Sequence, residues 1–507
     1  MRISLGRSAR VVWSVTFAAF GCSSEPPPLA TVIAGATVYD GSGGPGQVIS
    51  VRIVGDRIVD VGDLVPGEGD WYFDGTGLAL APGFIDTHSH ADRDLSDQPD
   101  ALAAVSQGIT TVVVGQDGGS PYPLGSFFEA LDSAPAAVNV TSYVGHGTLR
   151  RLVLGDDYRR PASRVEIDSM RALLYRALDA GALGLSTGLE YDPGIYADYD
   201  ELLSLAQTVS AEGGRYISHI RSEDRSFWEA LDEIIRLGRE AGIPVQISHL
   251  KLAMRGLWNQ ADSLVAVLDR ARAEGVQITA DVYPYTYWQS SLTVLFPRRD
   301  YTNRAAAQFA LDELAPPDGM VMSRFDPDPS LVGMTLADIA RQRKTDPVTT
   351  LMTLIQETHG GDGRSGESVI ATSMVGGDVV RLLAWPWANV CTDGELNGRH
   401  PRGFGAFARV LGRHVGPDKA LILEEAIRKM TSLAARNLGI EDRGGIWEGA
   451  YADLVLFEPD SVMDRATLED PHATAAGIRS VWVNGELVYD GGRATGKRPG
   501  RVIRRLR

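Results

Sequence analysis

The chain has 507 residues, of which 44% are hydrophobic and 22% charged, an ordinary composition for a soluble globular protein with more than one structural unit. It carries 65 Asp and Glu residues against 49 Lys and Arg, a formal net charge of -16. This acidic balance argues against nucleic acid or an anionic membrane surface as the main partner.

The N-terminus is predicted to be an export signal and not part of the fold. Three arginines precede an apolar run, residues 11–20, that is too short to span a bilayer. The run leads to Cys22 in a setting similar to a bacterial lipoprotein processing site, although Phe20 stands where a small residue is usual. We expect residues 1–21 to be the signal peptide and residues 22–30 a Pro-rich tether, with Cys22 lipidated. Ordinary signal cleavage near this point is the alternative.

This signal predicts where the mature protein is located. We expect an exported bacterial protein that is periplasmic or a membrane-anchored lipoprotein, with the lipid as its contact with the membrane. The only other cysteine is Cys391, so no disulfide within the mature chain is expected.

Both ends of the remaining chain show short alternating segments separated by Gly-rich turns. Such alternation is typical of half-buried antiparallel strands. We therefore predict one small β-sandwich, formed jointly by residues 31–81 and 438–507. The clearest runs are 48–54, 57–61, 453–457 and 481–489.

The middle of the chain, residues 82–437, alternates strand-like and helix-like patterns. Amphipathic segments lie between several apolar runs, as parallel strands with crossover helices require. Eight such strands predict an α/β fold, a (β/α)8 barrel of the TIM type. Residues 284–368 are too long for a simple loop and are predicted to form an inserted lid. The run 368–373 looks like a further strand that the count of eight leaves unplaced. The eight predicted strands are the one before His88, then 109–115, 137–144, 182–186, 215–219, 245–249, 277–282 and 388–391.

Histidines stand at the ends of three predicted strands. His88 and His90 are two residues apart at the end of the first strand, so both side chains point to one face. His219 and His249 each follow an Ile-Ser pair, and one βα unit separates them. Because catalytic residues of a barrel lie at the carboxyl ends of its strands, we expect these imidazoles to bind a divalent metal.

Asp393 ends the predicted eighth strand, which closes the barrel beside the first. A carboxylate at that place can bind the metal and also take a proton from a water molecule that the metal activates. On turn chemistry alone, the Asp-Gly pair would be read as a simple turn. The histidines on neighbouring strands favour the metal site.

These residues, with further motifs, resemble the D-aminoacylase (N-acyl-D-amino-acid deacylase) family of the amidohydrolase superfamily. The resemblance covers nearly the whole mature chain. It implies a zinc-dependent enzyme, with one or two ions per chain, that hydrolyses carbon–nitrogen bonds other than peptide bonds in small N-acylated D-amino acids. The motifs are Gly83–His90, Gly108–Gly115, Gly184–Leu189, the two Ser-His pairs, Tyr283–Tyr285, Thr392–Gly394, His400–Arg402, Arg409–Gly412 and residues 430–455.

The chain departs from the family pattern at one ligand position. Where the family has a metal-binding cysteine after the second strand, this sequence has Asp117. Two replacements are possible. Either Asp117 binds zinc directly, or the bridging ligand comes from strand four, where other branches of the superfamily use a lysine or a glutamate. We prefer Glu190 as the bridge on that resemblance, and a bridging carboxylate favours two metals over one.

Three further residues match the family positions that bind the substrate carboxylate: Lys251, Tyr283 and Arg402. Two cations and a hydroxyl suit the free carboxylate of an N-acyl amino acid. The expected catalyst is Asp393, which accepts a proton from water and returns it to the leaving amine. The alternatives are a dipeptidase for D-amino-acid peptides, a cyclic-amide hydrolase, and a catalytically inactive binding lipoprotein.

Overall fold

A computed structural model describes residues 29–359, 366–416 and 419–506. The predicted signal peptide, Cys22 and most of the tether lie outside these residues. Within the described ranges, no helix combines the length and apolar character needed to cross a bilayer.

The centre of the chain forms the predicted (β/α)8 barrel. Its strands are almost entirely buried, because one face fills the barrel interior and the other is covered by helices. Neighbouring strands pair in parallel in sequence order, and the ring closes between strands eight and one through the bridge of Ser89 with Gly394. Strands one to eight are Phe84–Asp86, Ile109–Val114, Asn139–Ser142 continued by Val144–Gly145, Gly184–Gly188, Arg215–His219, Val245–Ile247, Ile278–Val282 and Ala388–Val390.

The crossover helices lie where the apolar spacing predicts them. Arg164–Asp179 begins with a capping box, in which the Ser163 hydroxyl accepts the Glu166 N–H while the Glu166 carboxylate accepts the Ser163 N–H. Phe227–Ala241 ends at Gly242, whose positive φ of 61° reverses the chain. The other helices around the barrel are Leu102–Val105, Leu124–Ser133, His146–Leu154, Tyr199–Ala211, Ala261–Ala273, Gly376–Leu383, Arg402–Arg409, Leu423–Met430 and Ser432–Leu438.

The two chain ends together form the predicted β-sandwich. Ala79–Pro82 pairs antiparallel with Leu454–Phe457, which places Leu80 opposite Leu456 and joins the N-terminal strands to the C-terminal ones. Apolar side chains from both ends, Trp482 among them, fill the space between the sheets. One sheet contains Thr31–Ala34, Ser50–Val54, Arg57–Gly62 and Trp71–Asp74; the other contains Thr37–Val38, Gln47–Val48, Ala79–Pro82, Leu454–Phe457, Ile478–Val483, Glu486–Asp490 and Arg493–Ala494.

The predicted lid is a folded insertion between strands seven and eight of the barrel. It contains a three-stranded antiparallel sheet whose central strand, Glu367–Thr372, pairs with Tyr287–Ser290 on one side and Met320–Phe325 on the other. This central strand is the run that the count of barrel strands left unplaced, so the inserted sheet continues past residue 368. The helices of the insertion are Arg304–Phe309, Ala310–Leu314, Leu336–Arg343 and Pro347–Thr358.

One arginine fastens the lid to the barrel. Arg299 donates from Nη2 to the backbone carbonyl of Glu190 at 2.7 Å and from Nε to the Asp192 carboxylate at 2.8 Å. Its Nη1 donates to the carbonyls of Thr293 and Phe296 within the lid, at 3.2 Å each. The same guanidinium therefore contacts a lid turn and the loop that follows strand four.

The C-terminal tail leaves the sandwich and returns to the barrel. The N–H groups of Gly500 and Ile503 donate to the carbonyls of Ala136 and Val140, and Val140 donates to Arg501. The last described residues thus extend along strand three, outside the sandwich that residues 438–507 were expected to form.

Candidate metal centre and active site

The predicted site residues converge at the carboxyl ends of the barrel strands. His219 is the last residue of strand five, His249 follows strand six by two residues, and Asp393 follows strand eight by three. His249, Asp393 and Asp117 have positive φ values of 33°, 48° and 53°. Backbone of this kind is unfavourable for residues other than glycine, and it is typical of functional sites.

Asp117 lies at the centre of the first group of ligand atoms. Its Oδ1 is 3.5 Å from His88 Nε2 and 3.4 Å from His249 Nε2, and its Oδ2 is 3.3 Å from His90 Nε2. Asp393 Oδ1 completes the group at 3.5 Å from His88 Nε2 and 3.2 Å from His90 Nε2. Asp117 therefore contacts histidines from the first and sixth strands at once.

The loop of Asp117 is shaped by the glycine that follows it. Gly118 has a φ of 77°, and a Cβ at this position would lie 2.8 Å from the backbone nitrogen of Gly188. Only glycine fits this approach between the loops of strands two and four without a shift. The Asp-Gly-Gly sequence is thus a turn, as its composition indicates, and the turn places the carboxylate among the histidines.

The second group is formed around His219. Its Nδ1 is 3.0 Å from His249 Nε2, and its Nε2 is 3.0 Å from Glu190 Oε2. Glu190 thus contacts one histidine of this group, whereas Asp117 lies between His88 and His249. Of the two carboxylates, Asp117 is therefore the one that contacts histidines of both pairs, His88 and His90 in the first and His249 in the second.

The residues fit a divalent metal ion. Ligand atoms of His88, Asp117, His249 and Asp393 all lie within 4.8 Å of one another, as do those of His219, Glu223 and His249. Both ring nitrogens of His88 and Oδ1 of Asp117 are buried and have no hydrogen-bond partner among the described residues. Buried polar atoms are normally satisfied, and imidazole and carboxylate donors are those that zinc binds.

Asp393 also forms an ion pair with the predicted carboxylate-binding residue Arg402. The Arg402 Nη1 atom lies 2.5 Å from Asp393 Oδ2, and both side chains are buried. Burial alone would raise the pKa of Asp393. The positive charges of Arg402 and His249 outweigh this effect, so that the pKa falls well below its ordinary range. Asp393 is therefore ionised at neutral pH, as a proton acceptor must be.

Lys251, Tyr283 and Arg402 line one cavity together with His219, His249 and Asp393. The guanidinium carbon of Arg402 is 4.9 Å from the centre of the Tyr283 ring, and Lys251 Nζ is 5.7 Å from it. The Tyr283 hydroxyl and Arg402 Nε are buried without a hydrogen-bond partner in the described part of the chain. Unsatisfied donors beside two cations suit an anionic group of a ligand.

Two acidic residues of the site were not predicted from the sequence. Glu223 Oε1 is 2.5 Å from Lys251 Nζ and 3.1 Å from His249 Nδ1. Asp281 Oδ1 accepts the His249 N–H at 2.5 Å and lies 3.7 Å from His88 Nδ1. Asp281 interrupts an apolar strand two residues before Tyr283, and this pattern could have indicated a site residue. Glu223 lies in a loop among other charged residues, so nothing in the sequence distinguishes it from them.

Comparison with known proteins decides the family. The model of the amidohydrolase family matches residues 72–314 and 298–489, most of the described chain. The chain belongs to the amidohydrolase family. This confirms the family that the sequence motifs indicated and agrees with the barrel and sandwich architecture.

Characterised members of the family are similar over almost their whole length. N-acyl-D-glutamate deacylase of Alcaligenes xylosoxydans xylosoxydans is 37% identical, with 94% of this chain and 96% of that protein aligned. D-aminoacylase of the same organism is 35% identical over 95% and 99%. The crystal structure of N-acyl-D-glutamate deacylase from Bordetella bronchiseptica, complexed with zinc and a phosphonate mimic of the tetrahedral intermediate, superposes with a TM-score of 0.84 at 34% identity, covering 94% of this chain and all of that one.

Proposed function

We propose that this protein is a zinc-dependent hydrolase that cleaves the amide bond of N-acyl-D-amino acids. One observation carries the proposal: Asp393 contacts both His90, among the metal-binding residues, and Arg402, among the carboxylate-binding ones. An N-acyl amino acid presents an amide and a carboxylate separated by one carbon. The site has the two matching groups of residues in the same arrangement, side by side.

The residues divide the work of hydrolysis among them. His88, His90, Asp117, His219 and His249 would hold zinc, with Asp393 as a further ligand. Zinc supplies Lewis acidity, which lowers the pKa of water and polarises a carbonyl group. Asp393, ionised at neutral pH, accepts the proton of the attacking water and returns it to the amide nitrogen as the carbon–nitrogen bond breaks. Lys251, Tyr283 and Arg402 orient the substrate through its carboxylate.

The preference for D-configured substrates is supported by the three similar proteins named above, all of which are named for D-amino acids. A fixed carboxylate and a fixed amide leave the chirality of the α-carbon to decide which wall of the cavity the side chain meets. The L-isomer would direct its side chain elsewhere, so one isomer is selected by fit.

A D-dipeptidase is the second candidate, favoured by the acidic part of the cavity. Glu190, Glu223 and Asp224 line the same cavity as the carboxylate-binding residues. The ammonium group of an aminoacyl substrate would find counter-charges there. N-acyl and aminoacyl substrates use the same hydrolytic residues, so both belong in one substrate screen.

The screen uses zinc-loaded protein with N-acetyl-D-amino acids, N-acetyl-L-amino acids and D-dipeptides. We expect turnover of D-substrates and a 10²- to 10⁴-fold lower kcat in Asp393→Asn with zinc still bound, because general-base catalysis contributes this much. Asp460→Asn, at an exposed carboxylate of the sandwich, is the matched control. Equal turnover of L-substrates would contradict the D-preference, and zinc-loaded protein without any turnover would favour a binding protein.

We also propose that the protein is exported and lipidated at Cys22. Support comes from the arginines, apolar run and cysteine at the N-terminus. Expressed in a bacterium, the full chain should partition into detergent with its membrane fraction, and Cys22→Ser should release it to the soluble fraction. A chain found in the cytoplasm with its N-terminus intact would refute export.

A further inference from the structure

The apolar part of the active-site cavity is supplied mainly by the lid. Trp288 lies on the first lid strand, Val294 and Leu295 on the turn after it, and Leu314 at the end of a lid helix. All four are buried by the rest of the protein. They line the same cavity as the carboxylate-binding residues and as His219, His249 and Asp393. The empty space of this cavity is about 490 Å³, part of which is open to solvent.

Each cation that lines this cavity lies beside a carboxylate of the protein. Its lining cations among the described residues are Lys251, 2.5 Å from Glu223, and Arg402, 2.5 Å from Asp393. The remaining charged side chains of the lining, Glu190 and Asp224, are acidic. The substrate's α-carboxylate uses the two cations. A second carboxylate, on the substrate's own side chain, would meet carboxylates and the apolar lid.

We propose that the enzyme selects N-acyl-D-amino acids with uncharged, apolar side chains, and that Trp288, Val294, Leu295 and Leu314 determine this preference. The inference rests on the proposed deacylase function and adds the substrate class. It separates this chain from the 37% identical relative named for D-glutamate. An apolar side chain gains by leaving water for this wall, whereas a carboxylate would be buried without a counter-charge.

The decisive measurement is kcat/KM of the zinc-loaded wild type for N-acetyl-D-leucine, N-acetyl-D-methionine, N-acetyl-D-glutamate and N-acetyl-D-aspartate. We expect the two apolar substrates to be favoured by at least about 100-fold, since burying an unpaired charge is more costly than a mismatched methylene, for which 10- to 200-fold is typical. Preference for glutamate or aspartate would overturn the inference while supporting the deacylase function. If none of the N-acyl-D-amino acids is hydrolysed, both fail together.

Two variants test the named wall. Trp288→Ala should raise KM for N-acetyl-D-leucine at least 10-fold and leave kcat/KM for N-acetyl-D-glutamate nearly unchanged. Val294→Lys should bring the leucine-to-glutamate ratio down by at least 10-fold, because it adds the missing cation. Trp447→Ala, at a tryptophan that is 45% exposed on the sandwich, is the control and should change neither value. An equal fall in kcat/KM for both substrates in Trp288→Ala would contradict a selective role. If a variant does not fold, the leucine-to-glutamate ratio of kcat/KM in the wild type decides.

Discussion

Asp117 takes the place that a cysteine has in the family pattern, and its position explains how a carboxylate can serve there. One of its oxygens lies within 3.5 Å of histidines from strands one and six, and the other faces His90. A carboxylate with two separate oxygens can contact two ligand sets at once. Burial alone would raise the pKa of Asp117. His88 and His249 outweigh this effect, so that the pKa lies well below its ordinary value. Asp117 is therefore ionised and able to bind metal.

Asp117→Asn should lower zinc content by about one ion per chain, because the amide cannot carry the charge that joins the two histidine pairs. Glu190→Gln, a change of the same kind at the carboxylate that contacts His219, should retain more zinc. Both are measured by metal analysis after dialysis against zinc-free buffer. The opposite order of loss would make Glu190 the bridging ligand.

A buried lysine links a helix to the last barrel strand. Lys429, at the end of Leu423–Met430, donates to the carbonyls of Trp385 and Ala388. Burial lowers its pKa to about 8, although Glu425 partly opposes this shift. The helix is thus attached to the barrel by a cation whose charge is costly in that environment.

This arrangement predicts a pH dependence of stability. In the unfolded chain the lysine keeps its proton up to about pH 10.4, whereas the folded protein releases it near pH 8. The unfolded state then binds more protons, so the free energy of unfolding rises between these values, by roughly 3 kcal/mol at most. Denaturant unfolding of wild type and Lys429→Met at pH 7.5, 9 and 10 measures this effect. With rising pH, the free energy of unfolding of the wild type should increase relative to that of the variant. A constant difference would mean that Lys429 keeps an ordinary pKa.

Elements with local patterns could be predicted, and those with distant partners could not. The barrel strands are short buried runs with amphipathic helices between several of them, so their order and direction could be predicted from the sequence. The lid sheet differs, because Tyr287–Ser290 pairs with a strand about eighty residues later. Nothing local marks that partner, and the run 368–373 was recognised as a strand without a place.

The same distinction applies to the site. A barrel brings the ends of its strands together, so His88, His219, His249 and Asp393 could be placed near one another before their contacts were known. The choice between Asp117 and Glu190 depends on how two loops bend. Loops lack the regular hydrophobic pattern of strands and helices, so the direction of a carboxylate in a loop cannot be predicted from the sequence. Motif resemblance narrowed that choice to two residues. Of these, Asp117 contacts histidines of both pairs and Glu190 contacts His219.

Both ends of the described chain are held by pairing with residues that are distant in the sequence. The first sandwich strands are completed by strands more than 370 residues later, and the tail beyond them extends along strand three of the barrel. Asn139 takes part in both, since its side-chain oxygen accepts the Arg501 N–H and a proton from the Asn484 amide. The tail therefore connects barrel and sandwich.

Deleting residues 499–507 should lower the melting temperature by several degrees. The deletion removes about four backbone hydrogen bonds, each worth about 1 kcal/mol, and leaves Asn139 and Asn484 short of partners. Thermal unfolding measures the change, and zinc content should stay the same. Deleting only residues 506–507, where Leu506 is 61% exposed, is the control. Equal melting temperatures would show that the tail adds nothing to stability.

Arg299 has a consequence for how the enzyme can evolve. The proposed zinc ligands come from barrel strands and their loops, whereas the apolar wall comes from the lid. The Arg299 guanidinium contacts both segments. Mutations in the wall that preserve its contacts leave the loop of Glu190 where it is. Substrate preference can then diverge among descendants while the hydrolytic residues are inherited unchanged. A paralogue with a different substrate needs changes in the lid but none in the barrel.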